Sequence, residues 1–368
     1  MSLPSRRDFL KQAAAGLAAP AVARAALAHP ALGGLVLPDA ALATPPRYTN
    51  PVYAGSMPDP GVMRYRGVYY AFGTTGGDRK PDGRVFTLLR SRDLVAWEEL
   101  GGALTPPSAD AALQYWAPEA AAGDDGRFYL YYCVGNPGRE QMALRVAAAD
   151  RPEGPYADAG APLVECTGNR FAIDAHPFRD ADGRWYLFYA RNYPRVDGPL
   201  RAGTGLAVDR LVGMTRLAGE CRTVLRARYD WTLYEANRRM DAYGKTFDEW
   251  HTIEGAFVRR HRGRYYCFYS GANWQTPRYG VDYAVADRVT GPYRGQGREA
   301  RVLRGVPGRV RGPGHHSIVE GPDGRDYVVY HAWNADMTVR QRPASRVIPT
   351  SRSTARPVPA RSGPSTWG

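Results

Sequence analysis

The chain has 368 residues, 24 of them Tyr and 8 Trp, and a formal net charge of +13. The charge sits at the ends: residues 1–28 carry +3, residues 342–368 carry +5 from five Arg and no acid, and residues 29–341 carry only +5. No Lys/Arg run interleaves with aromatics and no segment after the N-terminus approaches the ~20 apolar residues of a membrane span, so nucleic acid and a membrane span are both excluded.

Residues 1–28 read as an export signal. Arg6-Arg7 stands before Phe9-Leu10-Lys11, a weakly apolar Ala-rich stretch follows, and small-residue cleavage sites end it. The expectation is twin-arginine export to the periplasm or the medium. Residues 29–47 are Ala/Pro-rich without a period and read as a linker.

From residue 48 one phrase recurs five times: a polar residue, a short apolar run, a Gly-centred turn and an aromatic strand. The copies run from Asp59 to Tyr70, Glu119 to Tyr132, Asp174 to Tyr189, Glu254 to Tyr269 and His315 to Tyr330. Their starts lie 60, 55, 80 and 61 residues apart. That spacing fits one four-stranded sheet per copy, so residues 48–341 are expected to be an all-β, five-bladed propeller.

In blade one, residues 86–90 and 96–100 read as outer strands. Blades two and four share a second phrase, Ala149-Asp150-Arg151 to Tyr156 and Ala286-Asp287-Arg288 to Tyr293. Blade three carries an insertion, residues 229–251, with room for a short helix and a place near the binding face. Residues 342–368 are Arg/Pro/Ser-rich with no alternation and are expected to be disordered.

Inner strands of a propeller converge on a central channel. Asp59, Glu119, Asp174 and Glu254 open equivalent copies, so the fold should gather carboxylates far apart in sequence. Crowded carboxylates split their pKa values, and one protonated acid opposite one ionised carboxylate is what glycoside hydrolysis needs. Glu119, beside Pro118 and Trp116, reads equally as a support. Trp116, Phe72 and Trp274 are candidate sugar platforms, with blade core as the other reading of each. Arg278 is a candidate for sugar hydroxyls.

Met57-Pro58-Asp59-Pro60-Gly61, Trp116-Ala117-Pro118-Glu119, Ile173-Asp174-Ala175-His176-Pro177-Phe178, Ile253-Glu254-Gly255-Ala256 and Gly312-Pro313-Gly314-His315 together resemble the ordered motifs of glycoside hydrolase family 43. The resemblance covers about residues 50–341. It implies Asp59 as general base, Glu254 as general acid and Asp174 as the residue that orients the acid and raises its pKa. It further implies inversion of the anomeric centre and action on α-L-arabinofuranosides or β-D-xylosides of plant cell walls. No cofactor is implied for the chemistry. His315 would point into the channel, where a structural calcium can sit on it directly or through water. A hydrogen-bonding His is the other reading, because calcium prefers oxygen.

Of the four cysteines, Cys133 and Cys267 fall in aromatic strands and read as buried thiols. Cys166 and Cys221 flank the third copy, and a disulfide between them is open. The sequence sets no oligomeric state.

Overall fold

The computed structural model describes residues 48–163, 169–334 and 350–352. Those residues form strands and almost no helix. Blade one is β1 (Gly61–Tyr65), β2 (Val68–Gly73), β3 (Val85–Ser91) and β4 (Glu98–Thr105), each antiparallel to the next. Blade two is β5 (Gln114–Ala122), β6 (Phe128–Asn136), β7 (Gln141–Ala149) and the short β8 (Tyr156–Asp158). Blade three has β9 (Ala172–Arg179), β10 (Trp185–Tyr193) and β11 (Gly203–Val212), with β12 (Arg216–Leu217) and β13 (Arg222–Arg226) both on β11.

The insertion then forms β14 (Leu233–Met240) and β15 (Lys245–His251). Blade four follows as β16 (Ile253–His261), β17 (Arg264–Gly271) and β18 (Gly280–Ala286), and blade five as β19 (Val310–Glu320), β20 (Asp326–Asn334) and β21 (Thr350–Arg352).

The recurring phrase is the innermost hairpin of each blade. Its glycine is what makes the turn possible: Gly67, Gly126, Gly183, Gly263 and Gly324 all hold φ between +69° and +83°, the left-handed region that a side chain disfavours. The five innermost strands neighbour one another in a closed ring, β1 to β5 to β9 to β16 to β19 and back to β1. Closure is sealed between the first and last copies. Ser317 Oγ accepts the Val62 N–H at 3.0 Å and donates to Pro60 O at 2.8 Å, and Arg64 pairs with Glu320.

The core lies mainly between blades. Phe72, Phe86, Tyr115, Tyr132 and Tyr156 fill the gap between blades one and two, meeting chiefly edge to face. The largest cluster joins blades two, three and four through residues such as Tyr131, Phe188 and Cys267. Phe257, Phe268 and Tyr330 join four to five. Met57, Leu89 and Val329 join five to one, with Tyr48, Val52 and Tyr53 packed against them. Each fully buried Phe or Leu contributes about 1.5–3 kcal/mol, so the ring is held by side chains that no single blade could bury alone. The second shared phrase takes one structure twice: the Tyr156 hydroxyl donates to Pro152 O and the Tyr293 hydroxyl to Val289 O, both at 3.0 Å.

Several expectations need correction. The insertion is a β-hairpin with two single-turn 3-10 segments, Asp230–Thr232 and Asp241–Tyr243; its apolar residues Met240, Phe247 and Trp250 bury one face in their own small cluster. The second outer strand of blade one begins at Glu98, because Asp93 Oδ1 takes the N–H groups of Val95 and Ala96 in a turn. Within the tail expected to be disordered, residues 350–352 pair with β20; its remaining residues, like residues 1–47, lie outside the described residues. Cys133 and Cys267 are buried free thiols, as expected. Cys221 is disulfide-bonded, and Cys166 lies outside the described residues.

Candidate active site

A left-handed residue stands at the channel end of each innermost strand: Asp59 (φ 52°), just before β1, Ala117 (48°), Asp174 (59°), Gly255 (57°) and His315 (39°). In β5, β9, β16 and β19 the strand register breaks at that point. A bulge of this kind bends the strand and re-aims the side chains beside it. Asp59, Asp174 and His315 occupy the left-handed position itself. Glu254 lies one residue before it and Glu119 two residues after, so the five openings are only near-equivalent.

Asp59 faces a hydroxyl and two imidazoles. The Thr74 hydroxyl donates to its Oδ2 at 2.6 Å, and Nδ1 of His315 and of His331 each lie 3.3 Å from Oδ1. Its own N–H donates to His331 Nδ1 at 3.0 Å. Burial alone would push the carboxyl pKa up, but the His315 charge, His331 and the Thr74 bond outweigh it and hold it well below the usual carboxylate range.

Glu254 has the opposite surroundings. Its Oε1 accepts one bond, from the Tyr279 hydroxyl at 2.7 Å. Burial and then the Asp174 charge push its pKa up to about 8, against the pull of that bond and of His315. Asp174 is 7% exposed; its Oδ2 accepts the Gly255 N–H at 3.0 Å and lies 3.8 Å from His315 Nδ1. Its pKa is raised as well, by burial first and with Asp59 adding to it. His315 is raised despite burial, because Asp59, Asp174 and Glu254 face it. The imidazole therefore sits between the carboxyls, where their charges favour a proton on it.

Glu119 is tied to the next blade. His176 Nδ1 lies 2.6 Å from Glu119 Oε1, while its Nε2 accepts the Val258 N–H at 3.0 Å. With Nε2 accepting, the ring proton sits on Nδ1 and is donated to Glu119. One chain of bonds thus joins blades two, three and four below the acids. A small cavity of about 10 Å³, room for about one water, lies here, lined by Asp59, Glu119, Asp174, His315 and His316. His316 is 3% exposed with no partner on either ring nitrogen, and burial followed by the charges of His315 and His176 lowers its pKa to about 3.

The structure brings Asp59, Asp174, Glu254, Glu119 and His315 to one channel. Trp116 is half-buried beside Ala117 and packs against the largest core cluster. Trp274 is half-buried and stacks on Trp333, with ring centroids 5.9 Å apart and planes 13° apart. Arg278 is exposed; its guanidinium donates to Asp230 O at 3.3 Å, tying the blade-four loop to the start of the inserted hairpin. Phe72 is no sugar platform. It is 0% exposed and packs edge-on to Tyr156, so neither ring face is free. Thr74, Tyr279 and His331 touch the acids without having been singled out by sequence. Their only advance signal was position: Thr74 and His331 lie at channel ends of second strands, and Tyr279 just precedes β18.

The fold and this geometry have relatives. The family model for glycosyl hydrolases family 43 matches residues 48–355. The chain is 28% identical over 308 residues to the β-D-galactofuranosidase xynD of Aspergillus niger, covering 79% of this chain and 78% of that protein. It is 26% identical over 309 residues to the probable arabinan endo-1,5-α-L-arabinosidase C of Aspergillus flavus, covering 76% and 84%. Among solved structures, a thermostable family-43 glycoside hydrolase superposes with a TM-score of 0.67 at 26% identity, over 83% of this chain and 92% of that one.

Proposed function

As a member of glycosyl hydrolase family 43, the chain is a glycoside hydrolase, and we propose that it acts as an inverting, exo-acting enzyme releasing terminal α-L-arabinofuranosyl or β-D-xylosyl residues. Its substrates would be arabinose- or xylose-containing oligosaccharides and polysaccharides of plant cell walls. The observation that carries this reading is the contrast between two half-buried carboxyls: Asp59 faces the Thr74 hydroxyl and two imidazoles, which favour its ionised form, and Glu254 faces a phenol and the Asp174 charge, with burial and that charge favouring its protonated form.

In the proposed step a water molecule attacks the anomeric carbon. Asp59 takes one proton from that water as the C–OH bond forms. The bond to the leaving oxygen breaks, and Glu254 gives that oxygen its proton. Asp174 keeps the proton on Glu254 until then. Turnover of aryl α-L-arabinofuranoside and aryl β-D-xyloside tests the reading, and proton NMR of the first-formed sugar tests the stereochemistry. A product of retained configuration would mean a carboxylate nucleophile and would overturn the assignment of Asp59.

The similarity to an arabinan endo-arabinosidase supports a second reading, endo-cleavage of arabinan. Product sizes from debranched arabinan separate the two: single sugars from an exo-enzyme, oligosaccharides from an endo-enzyme. The similarity to a β-D-galactofuranosidase adds aryl β-D-galactofuranoside to the substrates worth trying. A non-catalytic binding propeller is the reading these acids disfavour, since binding alone needs no such division of protons.

Export by the twin-arginine route belongs to the same proposal, as it would bring the enzyme to cell-wall substrate. Among the described residues no helix is long and apolar enough to cross a membrane. A structural calcium ion on His315, directly or through water, would take most of its six to eight oxygens from water. No step above is routed through one.

A further inference from the structure

We propose that Tyr279 is a positioning residue for the acid, occupying Oε1 of Glu254 so that the proton to be donated rides on Oε2. The inference rests on the glycosidase reading and adds to it a specific orientation of the acid.

A protonated carboxyl has two oxygens and one proton. Tyr279 is 1% exposed, and its hydroxyl, 2.7 Å from Oε1, donates to no other group among the described residues. A proton on Oε1 would face the phenol proton, so the donor at Oε1 drives the acid proton to Oε2. The phenol stays protonated, because burial and the nearby Glu254 and Asp59 charges push its pKa well above the ordinary value. After transfer the same hydroxyl meets an ionised oxygen, and the bond becomes charge-assisted. It therefore strengthens along the reaction, which is the condition for lowering a barrier rather than merely tightening binding.

The surrounding sequence is arranged around this ring. A Cβ at Gly314 would overlap the Tyr279 ring. The glycine before His315 thus leaves the space that Tyr279 fills. On its other side the ring lies nearly parallel to His331, with centroids 5.8 Å apart and planes 9° apart. His331 in turn receives the Asp59 N–H. One side chain therefore contacts the proton donor and backs the imidazole that anchors the opposite carboxylate.

Tyr279→Phe keeps the ring, the stacking and the filled space, and removes only the donor. The test is a series of aryl glycosides of rising leaving-group basicity, on whichever sugar the wild type turns over. The expected result is a kcat/KM loss of about ten- to a hundred-fold for the most basic leaving groups and little loss for the most activated. The basic limb of the pH profile should move up, since Glu254 loses a donor that favours its ionised form. Replacing Tyr279 by 3-fluorotyrosine, a stronger donor of nearly the same size, should move that limb down. In a Glu254→Gln background Tyr279→Phe should cost nothing further on the basic leaving groups, because the amide has no proton to place.

An equal loss across the whole series with an unmoved limb, no loss anywhere, or the same loss in the Glu254→Gln background would each overturn the proposal and leave Tyr279 a packing residue. A wild type that turned over no glycoside would bring down the glycosidase reading together with this one. Turnover with a flat response to Tyr279→Phe brings down this one alone.

Discussion

Asp59 and Glu254 are both carboxylates at one channel mouth, yet their neighbourhoods push them apart. The Asp59 side, built from blades one and five, supplies the Thr74 hydroxyl and the imidazoles of His315 and His331. The Glu254 side, built from blades three and four, supplies burial, a second carboxylate and a single phenol. The repeat brings the two acids to comparable places, and what separates their chemistry is the residues that do not repeat. A propeller can therefore turn near-equivalent positions into a base and an acid by changing only what each one faces.

The largest expected effect comes from removing either half of that contrast. Asp59→Asn and Glu254→Gln should each lower kcat/KM on an unactivated glycoside by about 10²–10⁴-fold while leaving the fold intact by thermal melting. Near-wild-type turnover in either would break the assignment. The pH profile carries the same contrast. Glu254 must be protonated to act, so activity should fall as pH rises through about 8. Asp59 must be ionised, and its lowered pKa leaves activity high well into the acid range.

Stability gives the sign independently. Glu254 binds its proton more tightly folded than unfolded, so its contribution is present below its unfolded value near 4.5 and is lost as pH rises through about 8. Melting temperatures of Glu254→Gln should accordingly fall less between pH 5 and pH 9 than those of the wild type. A parallel pair of curves would say that Glu254 is not protonated in the folded state.

Smaller shifts sharpen the comparison from each side. Asp174→Asn removes the charge that helps keep the proton on Glu254, so the basic limb should move to lower pH; an unmoved limb would count against that role. Thr74→Val removes the 2.6 Å donor from Asp59, so the acid limb should move up. The same hydroxyl accepts the Ala117 N–H at 2.8 Å, and stranding that donor should cost about 1–3 kcal/mol in urea unfolding. Thr74→Ser restores both bonds and should restore both measurements.

The repeat made much of the fold legible. Five glycine-centred hairpins are visible as text, and so are the residues at their starts. Register was less legible, because a bulge offsets four of the five innermost strands by an amount that no period records: Ala117, not Glu119, holds the left-handed place in blade two. Partners were least legible. Tyr279 lies outside the repeat, His331 comes from the blade that closes the ring, and His176 reaches Glu119 from the neighbouring blade. Such contacts arise only when the ring is assembled. The inserted segment misled because its Tyr, Trp and Arg content suits an exposed helix and an amphipathic hairpin alike.

The aromatic candidates offer the last and smallest test, and they contrast two rings that read alike in sequence. Phe72 lies in a strand packed on both faces, so alternation could not tell inside from outside, and the structure buries it completely. Trp274 lies in a loop, half-buried against Trp333, whose indole N–H it holds through its own carbonyl at 2.7 Å. That backing fixes the Trp274 ring without consuming all of its surface, which is what a sugar platform requires. Phe72→Ala should therefore cost about 3–5 kcal/mol of stability and leave kcat/KM per folded molecule unchanged. Trp274→Ala should raise KM about two- to ten-fold on an oligosaccharide with kcat nearly unmoved, and leave the melting temperature close to wild type. An unmoved KM in Trp274→Ala would assign the Trp274–Trp333 pair to packing, and the sugar would then have to be held by the channel's polar groups and Trp116.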